Sequence, residues 1–122
     1  MKSLIVTGGG TGLGRAIAEK ASSNGYRVGI LDVNEELAVE ASDSIDNSMP
    51  LVASVTSSDE ISDALTIFGE SPDVWVNNAG IVRFAPLLDL SIDDWKSVVD
   101  VNLTGTFLCS SLAAKGFGLI PA

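Results

Sequence analysis

The chain has 122 residues, 46% of them hydrophobic and 19% charged, and a net charge of −9. That acidity argues against a nucleic-acid backbone or an anionic membrane surface as partner, since both call for a basic footprint. With no histidine and one cysteine, the chain offers no obvious metal-ligand set and no disulfide framework, so no metal is expected and a reducing cytoplasm is the expected setting.

The length predicts one domain over residues 1–122. Its start, a single lysine and a very short apolar run, does not read as a secretory signal, and no segment is expected to cross a bilayer. Ser3 to Val6 reads as a buried strand. A helix is predicted from Leu13 to about Asn24, with Leu13, Ala16, Ile17 and Ala21 facing inward and Asn24-Gly25 as its stop. Arg27 to Leu31 is a second strand. Glu35 to about Ile45 is a second helix, capped by Asn34, with Leu37, Ala38, Ala41 and Ile45 inward. Leu51 to Ala53 is a short third strand. Ser57-Ser58-Asp59-Glu60 has the form of a capping box, opening a helix with Ile61, Ala64, Leu65 and Phe68 on one face and Gly69 at its end. Val74-Trp75-Val76 is a fourth strand. Ser91 caps a long helix from about Ile92 to about Lys115, and Cys109 within it is expected as a small core residue. Strand–helix repeats of this length imply an α/β fold, a parallel sheet with helices on both faces.

Between the first strand and the first helix lies Thr7-Gly-Gly-Gly-Thr-Gly-Leu-Gly14. Glycine is used where backbone turns sharply or where something approaches it closely. At a helix start the backbone N–H groups lack partners, and the helix dipole favours an anion. A tight turn that binds nothing would use the same residues. Asp32, ending the second strand, is placed for a carboxylate to accept from the ribose hydroxyls of an adenosine and to repel a 2′-phosphate. Taken alone it is equally an ordinary solvated charge at a strand end.

Three motifs carry a family resemblance. The spacing Thr7-Gly8-x-x-x-Gly12-x-Gly14 resembles the cofactor loop of the short-chain dehydrogenases/reductases. Asn77-Asn78-Ala79-Gly80 is similar to that family's second hallmark. Asp100-Val101-Asn102-Leu103 resembles the segment holding its catalytic asparagine. The resemblance implies a Rossmann-like sheet in strand order 3-2-1-4, half of the full doubly wound fold. It implies that Gly8, Gly12, Leu13 and Gly14 shape the pyrophosphate loop. Asp32 would favour NAD over NADP, a preference that Thr11 fits. Asn78, Ala79 and Gly80 would line the cofactor groove and brace the sheet, and Asn102 would hold a water in a proton relay. An Asn102 amide bonded to nearby backbone is the alternative.

Two departures from the family pattern stand out. Ser54-Val55 follows the third strand where the family usually has an aspartate that contacts the adenine amino group. Ser54 weakens that contact, while Val55 remains available to the ring. The Tyr-x-x-x-Lys pair and the serine of the family's chemistry have no counterpart after Asn102. The one tyrosine is Tyr26. The chain is therefore expected to be the first half of a reductase, truncated or frame-shifted, that binds NAD or an adenine nucleotide weakly and has no activity alone. A non-catalytic nucleotide binder and a self-associating remnant are the alternatives. Arg83, Phe84 and Leu87 are candidates for the edge of a substrate cleft, although surface packing explains them as well. The apolar edge of the fourth strand and the helix bearing Trp95, Val98, Val99, Leu103, Phe107 and Leu112 predict a homodimer or higher oligomer. A monomer with the residues from Gly116 folded over that edge is the other outcome.

Overall fold

Side chains alternate across each strand, and that alternation sorts the core into two halves. The computed structural model describes residues 1–117. Its strands are β1 (Ser3–Thr7), β2 (Arg27–Asp32), β3 (Ser48–Val52) and β4 (Val74–Val76). Helices α1 (Gly12–Ser23), α2 (Glu35–Ser44) and α3 (Ser58–Phe68) connect them. After β4 come α4 (Ile92–Val99), a π-helical turn (Asp100–Thr104) and α5 (Gly105–Lys115). All strand pairs are parallel, in the expected order β3-β2-β1-β4. Leu4, Val6, Val28 and Ile30 face one side, packing with Ala18, Ala21 and Ala41 of α1 and α2. Ile5 and Leu31 face the other, packing with Ile61, Ala64, Phe68 and Cys109 of α3 and α5.

Three local expectations are corrected. On α1 the inward face is Gly14, Ala18 and Ala21, whereas Leu13 is 71% exposed and Ala16 is also exposed. The fully buried positions of this face are small residues, and Ile17, partly buried, packs at their side. Strand β3 begins at Ser48 and includes Pro50, which sits opposite Ile30. An edge strand tolerates a residue without an N–H, and β3 is such an edge. The long helix is interrupted by the π turn, where the N–H of Gly105 bonds the carbonyl of Asp100.

Gly105 shows why this helix can dock where it does. A Cβ there would lie 2.7 Å from Val55 Cγ2, so the helix backbone rests directly on the loop after β3. Cys109 and Ala113 continue the buried stripe, while Trp95, Leu103 and Phe107 on the far side are 59%, 68% and 68% exposed. The run Ile92–Lys115, 24 residues containing an 18-residue window of mean hydropathy 1.2, has the length and composition to cross a bilayer, contrary to expectation. Its α5 part packs on α3 and, through Gly105, on the β3–α3 loop, while α4 has no buried residue.

The helix ends follow local chemistry. Asn34, Ser57 and Ser91 each accept from the third residue beyond, capping α2, α3 and α4. The Glu60 carboxylate accepts from the N–H of Ser54 at 3.1 Å, so it ties down the β3–α3 loop instead of completing a capping box with Ser57. Gly69 closes α3 at φ 89°. Strand β4 pairs with β1 alone among the described residues. Of the segment from Gly116 that could cover this edge, Gly118 to Ala122 lie outside the described residues.

Gly105→Val places a branched side chain against Val55 and should lower stability by about 1–3 kcal/mol. Urea denaturation of the variant, with Val55→Ala added to restore room and recover part of the loss, is the check.

Candidate functional site

The ends of β1 and β4 meet through one hydroxyl. Thr7 is buried, and its Oγ1 accepts from the N–H groups of Asn78 at 3.0 Å and Ala79 at 2.9 Å while donating to the Val76 carbonyl at 3.4 Å. The Asn78 side-chain amide donates to the carbonyls of Thr7 at 3.1 Å and Gly8 at 3.2 Å. Gly8 then turns at φ 63°, a left-handed conformation that favours glycine. In the first turn of α1, Gly14 lies against the Gly8 carbonyl oxygen, and a Cβ at Gly14 would overlap it. Strand end, turn and helix start therefore pack backbone on backbone.

The start of α1 differs from the other helices that begin from loops. Thr11 is extended at the cap position, but its side chain makes no capping hydrogen bond, and the first turn carries no acidic residue. By contrast α2, α3 and α4 each have a side-chain cap and two acidic residues in the first turn. The N–H groups and positive dipole end of α1 are left available to an outside anion.

Asp32 is held from two sides. The N–H of Gly10 donates to Oδ2 at 3.0 Å, and that of Asn34 donates to Oδ1 at 3.0 Å. A carboxylate has about four lone-pair sites, so acceptor capacity remains for a ligand. Asp32 borders a cavity of 310 Å³. Gly8, Val55, Ala79 and Gly80 line it with Asp32, joined by Ser54, Thr56 and Ile81. Thr11, Gly12, Leu13 and Gly14 form the adjoining helix start and are not part of this wall. Asn78 stands behind the wall, bonded to β1.

Asn102 sits in the π turn. Its Oδ1 accepts from the N–H of Ile81 at 2.8 Å and its Nδ2 donates to the Ile81 carbonyl at 2.9 Å. The amide thus holds the segment after β4 against the helix, which is the backbone-bonded arrangement. Arg83 pairs with Asp94 at 3.8 Å, Phe84 and Leu87 are 94% and 86% exposed, and none of the three lines the cavity. Burial pushes the Cys109 thiol up to about 11, so it is no ready nucleophile.

Gly10, Ile81 and Gly105 were not singled out by sequence reasoning, and Thr7 was named only as the first residue of the glycine spacing. Thr7 carried the one readable signal, a polar residue closing the apolar run Leu4-Ile5-Val6. The others act through backbone groups or through having no side chain.

A family model described as short chain dehydrogenase matches residues 2–118. A short chain dehydrogenase/reductase from Macrophomina phaseolina, dpmpG, is 37% identical over 93% of this chain and 70% of its own length. A probable 2,4-dienoyl-CoA reductase from Bacillus subtilis is 33% identical over 93% of this chain and 48% of its own. Among solved structures, a 3-ketoacyl-(acyl-carrier-protein) reductase from Brucella melitensis, complexed with NADH, superposes with a TM-score of 0.87 at 25% identity, covering 95% of this chain and 50% of that one. A short chain dehydrogenase from Bacillus anthracis superposes at 0.88 with 32% identity, covering 93% and 50%. The chain thus spans about half the length of most of these relatives. With the glycine turn, the parallel sheet and the matched residues in agreement, the chain belongs to the short-chain dehydrogenase family.

Proposed function

We propose that this chain binds NAD through the loop Gly8–Gly14 and Asp32, as the dinucleotide-binding part of an oxidoreductase. The observation that carries the reading is the uncapped, acid-free start of α1 beside the Gly8–Gly14 contact. A pyrophosphate fits there, because the N–H groups of the helix start carry no side-chain cap and the space over Gly12 is open, with nothing within 4 Å of where its Cβ would lie. Val55, Ala79 and Gly80 would line the groove. Thr11, Gly12 and Leu13 present the helix start to the phosphates. A bound nicotinamide supplies a carbon that takes or gives hydride, against a carbonyl or alcohol carbon of the substrate. Asn102 acts here as a positioning residue, since its hold on Ile81 fixes one wall of the cavity.

The reading supposes that this chain by itself does not turn over. Tyr26 precedes β2, at the opposite end of that strand from Asp32. Six residues of strand separate them by about 20 Å. No tyrosine reaches the site to exchange a proton with a substrate oxygen. The proposed setting is the cytoplasm, with no nucleic-acid or membrane partner. The apolar far side of α4 and α5, together with the β4 edge, supports a homodimer.

Calorimetry against NAD, NADP and AMP tests the binding. NAD should bind weakly, roughly tenfold or more ahead of NADP by the repulsion between Asp32 and the 2′-phosphate, with AMP close to NAD. Asp32→Ala should bring the two dinucleotides together. NADP binding ahead of NAD would overturn the role of Asp32, and no binding of any of the three would leave a self-associating remnant. With a panel of secondary alcohols, NADH production should stay at background, because general acid–base help worth roughly 10²–10⁴-fold is missing. Light scattering should give a dimer or larger species. Leu103→Glu should dissociate it if the helix face is the contact, and Trp75→Lys if the strand edge is.

A further inference from the structure

Asn77 begins a short strap that is pinned to one helix at both ends. The segment from Asn77 to Ile81 follows β4 without regular structure, and its Ala79, Gly80 and Ile81 line the cavity. At the far end Asn102 holds Ile81. At the near end Asn77 Nδ2 donates to Ser110 Oγ of α5 at 2.9 Å, and the Trp75 indole N–H donates to Asn77 Oδ1 at 2.9 Å. An indole N–H can only donate, so it fixes which way the amide faces and turns the NH2 group toward Ser110. Trp75 is itself packed against the core cluster beneath α3 and α5.

Asn102 and Ser110 are eight residues apart, about 12 Å along a helix. Asn77 and Ile81 are four residues apart, about 13 Å of extended chain. The strap therefore runs back along the helix with little slack, and the Thr7 hydroxyl holds its middle through the N–H groups of Asn78 and Ala79. Resting on the NAD-binding reading above, we infer that Asn77 is a positioning residue for the cofactor wall: its bond to Ser110 keeps the strap drawn along the helix and so sets where Ala79 and Gly80 stand. Asn77 does not line the cavity, so it acts through those two residues. Asn77 and Ser110 are both exposed. Water competes for their bond, and its loss loosens the strap without opening the core.

The test pairs calorimetry with NAD and hydrogen exchange at the Ile81 N–H, which Asn102 Oδ1 accepts, on the full chain. Asn77→Ala loses both side-chain bonds. It should weaken NAD about three- to tenfold and speed exchange at Ile81 by a similar factor, with the β1 amides unchanged. Ser110→Ala removes the bond from the helix side, where alanine is a good helix former, and should reproduce both effects. Asn77→Asp keeps an acceptor for the indole and offers one to the Ser110 hydroxyl, so it should recover both values. Adding Ser110→Ala to it should remove the recovery. Undiminished NAD affinity in Asn77→Ala and Ser110→Ala overturns the assignment, and so does exchange that quickens equally in β1, which marks a global loss of stability. An Asn77→Asp chain that behaves as Asn77→Ala overturns it too. If wild type binds no NAD, the NAD-binding reading itself fails, and the Ile81 exchange rates then decide whether Asn77 holds the strap.

Discussion

Everything around the site depends on how closely the end of β1 can be approached. Thr7 and Asn78 tie β1 to β4 through five hydrogen bonds, one of them a long one. Gly14 brings α1 down onto the Gly8 carbonyl. A buried polar side chain is costly unless its groups are paired, and here each bond that pairs Thr7 also joins β1 to β4 or to the segment that follows it. The junction explains why a loop so rich in glycine is compatible with an ordered fold. The conformational freedom that glycine gives up on folding is offset by backbone contacts that no other residue would permit.

The same close approach decides the electrostatics. Strand order places Asp32, one strand over, within reach of the loop, and the Gly10 and Asn34 N–H groups fix its carboxylate. A Cβ at Gly10 would lie 2.8 Å from Asp32 Oδ2, so the loop and the carboxylate are fitted to each other. A positive helix end and a negative side chain then stand side by side. That pattern suits a ligand carrying phosphates at one point and neutral hydroxyls at the next.

On the opposite side of the cavity the wall is built by the helix after β4. Asn102 clamps Ile81 with both groups of its amide, and Gly105 rests on Val55. These two contacts, three residues apart in the π turn and just after it, lock the loops following β4 and β3 to one element. π turns of this kind are rare and gather at functional places. Here the turn allows a side-chain clamp and a close backbone contact to come from neighbouring positions on one helix.

The sequence by itself determined the element order, the strand order through its family pattern, and most inward faces. Those follow from periodicity, caps and stops, which are local. The inward residues of α2 and α3, the caps Asn34, Ser57 and Ser91, and Gly69 could all be read from neighbours within one or two turns. Gly8 and Asp32 stood out through the glycine spacing and a carboxylate at a strand end, and Val55, Ala79 and Gly80 through the family resemblance; the five line one cavity. Tertiary structure decided the rest. It turned Leu13 and Ala16 outward, because α1 meets the sheet through Gly14, Ala18 and Ala21, with Ile17 at the side. It admitted Pro50 to β3, because among the described residues that strand pairs on one side only, with β2. It gave Thr7 its hub, engaged Asn102 with Ile81, and set Gly105 against Val55. Each of these depends on a partner 21 to 72 residues away along the chain, or on the space a helix and a loop leave between them. Local pattern carries no record of such distances, since they exist only once the layers have closed on one another.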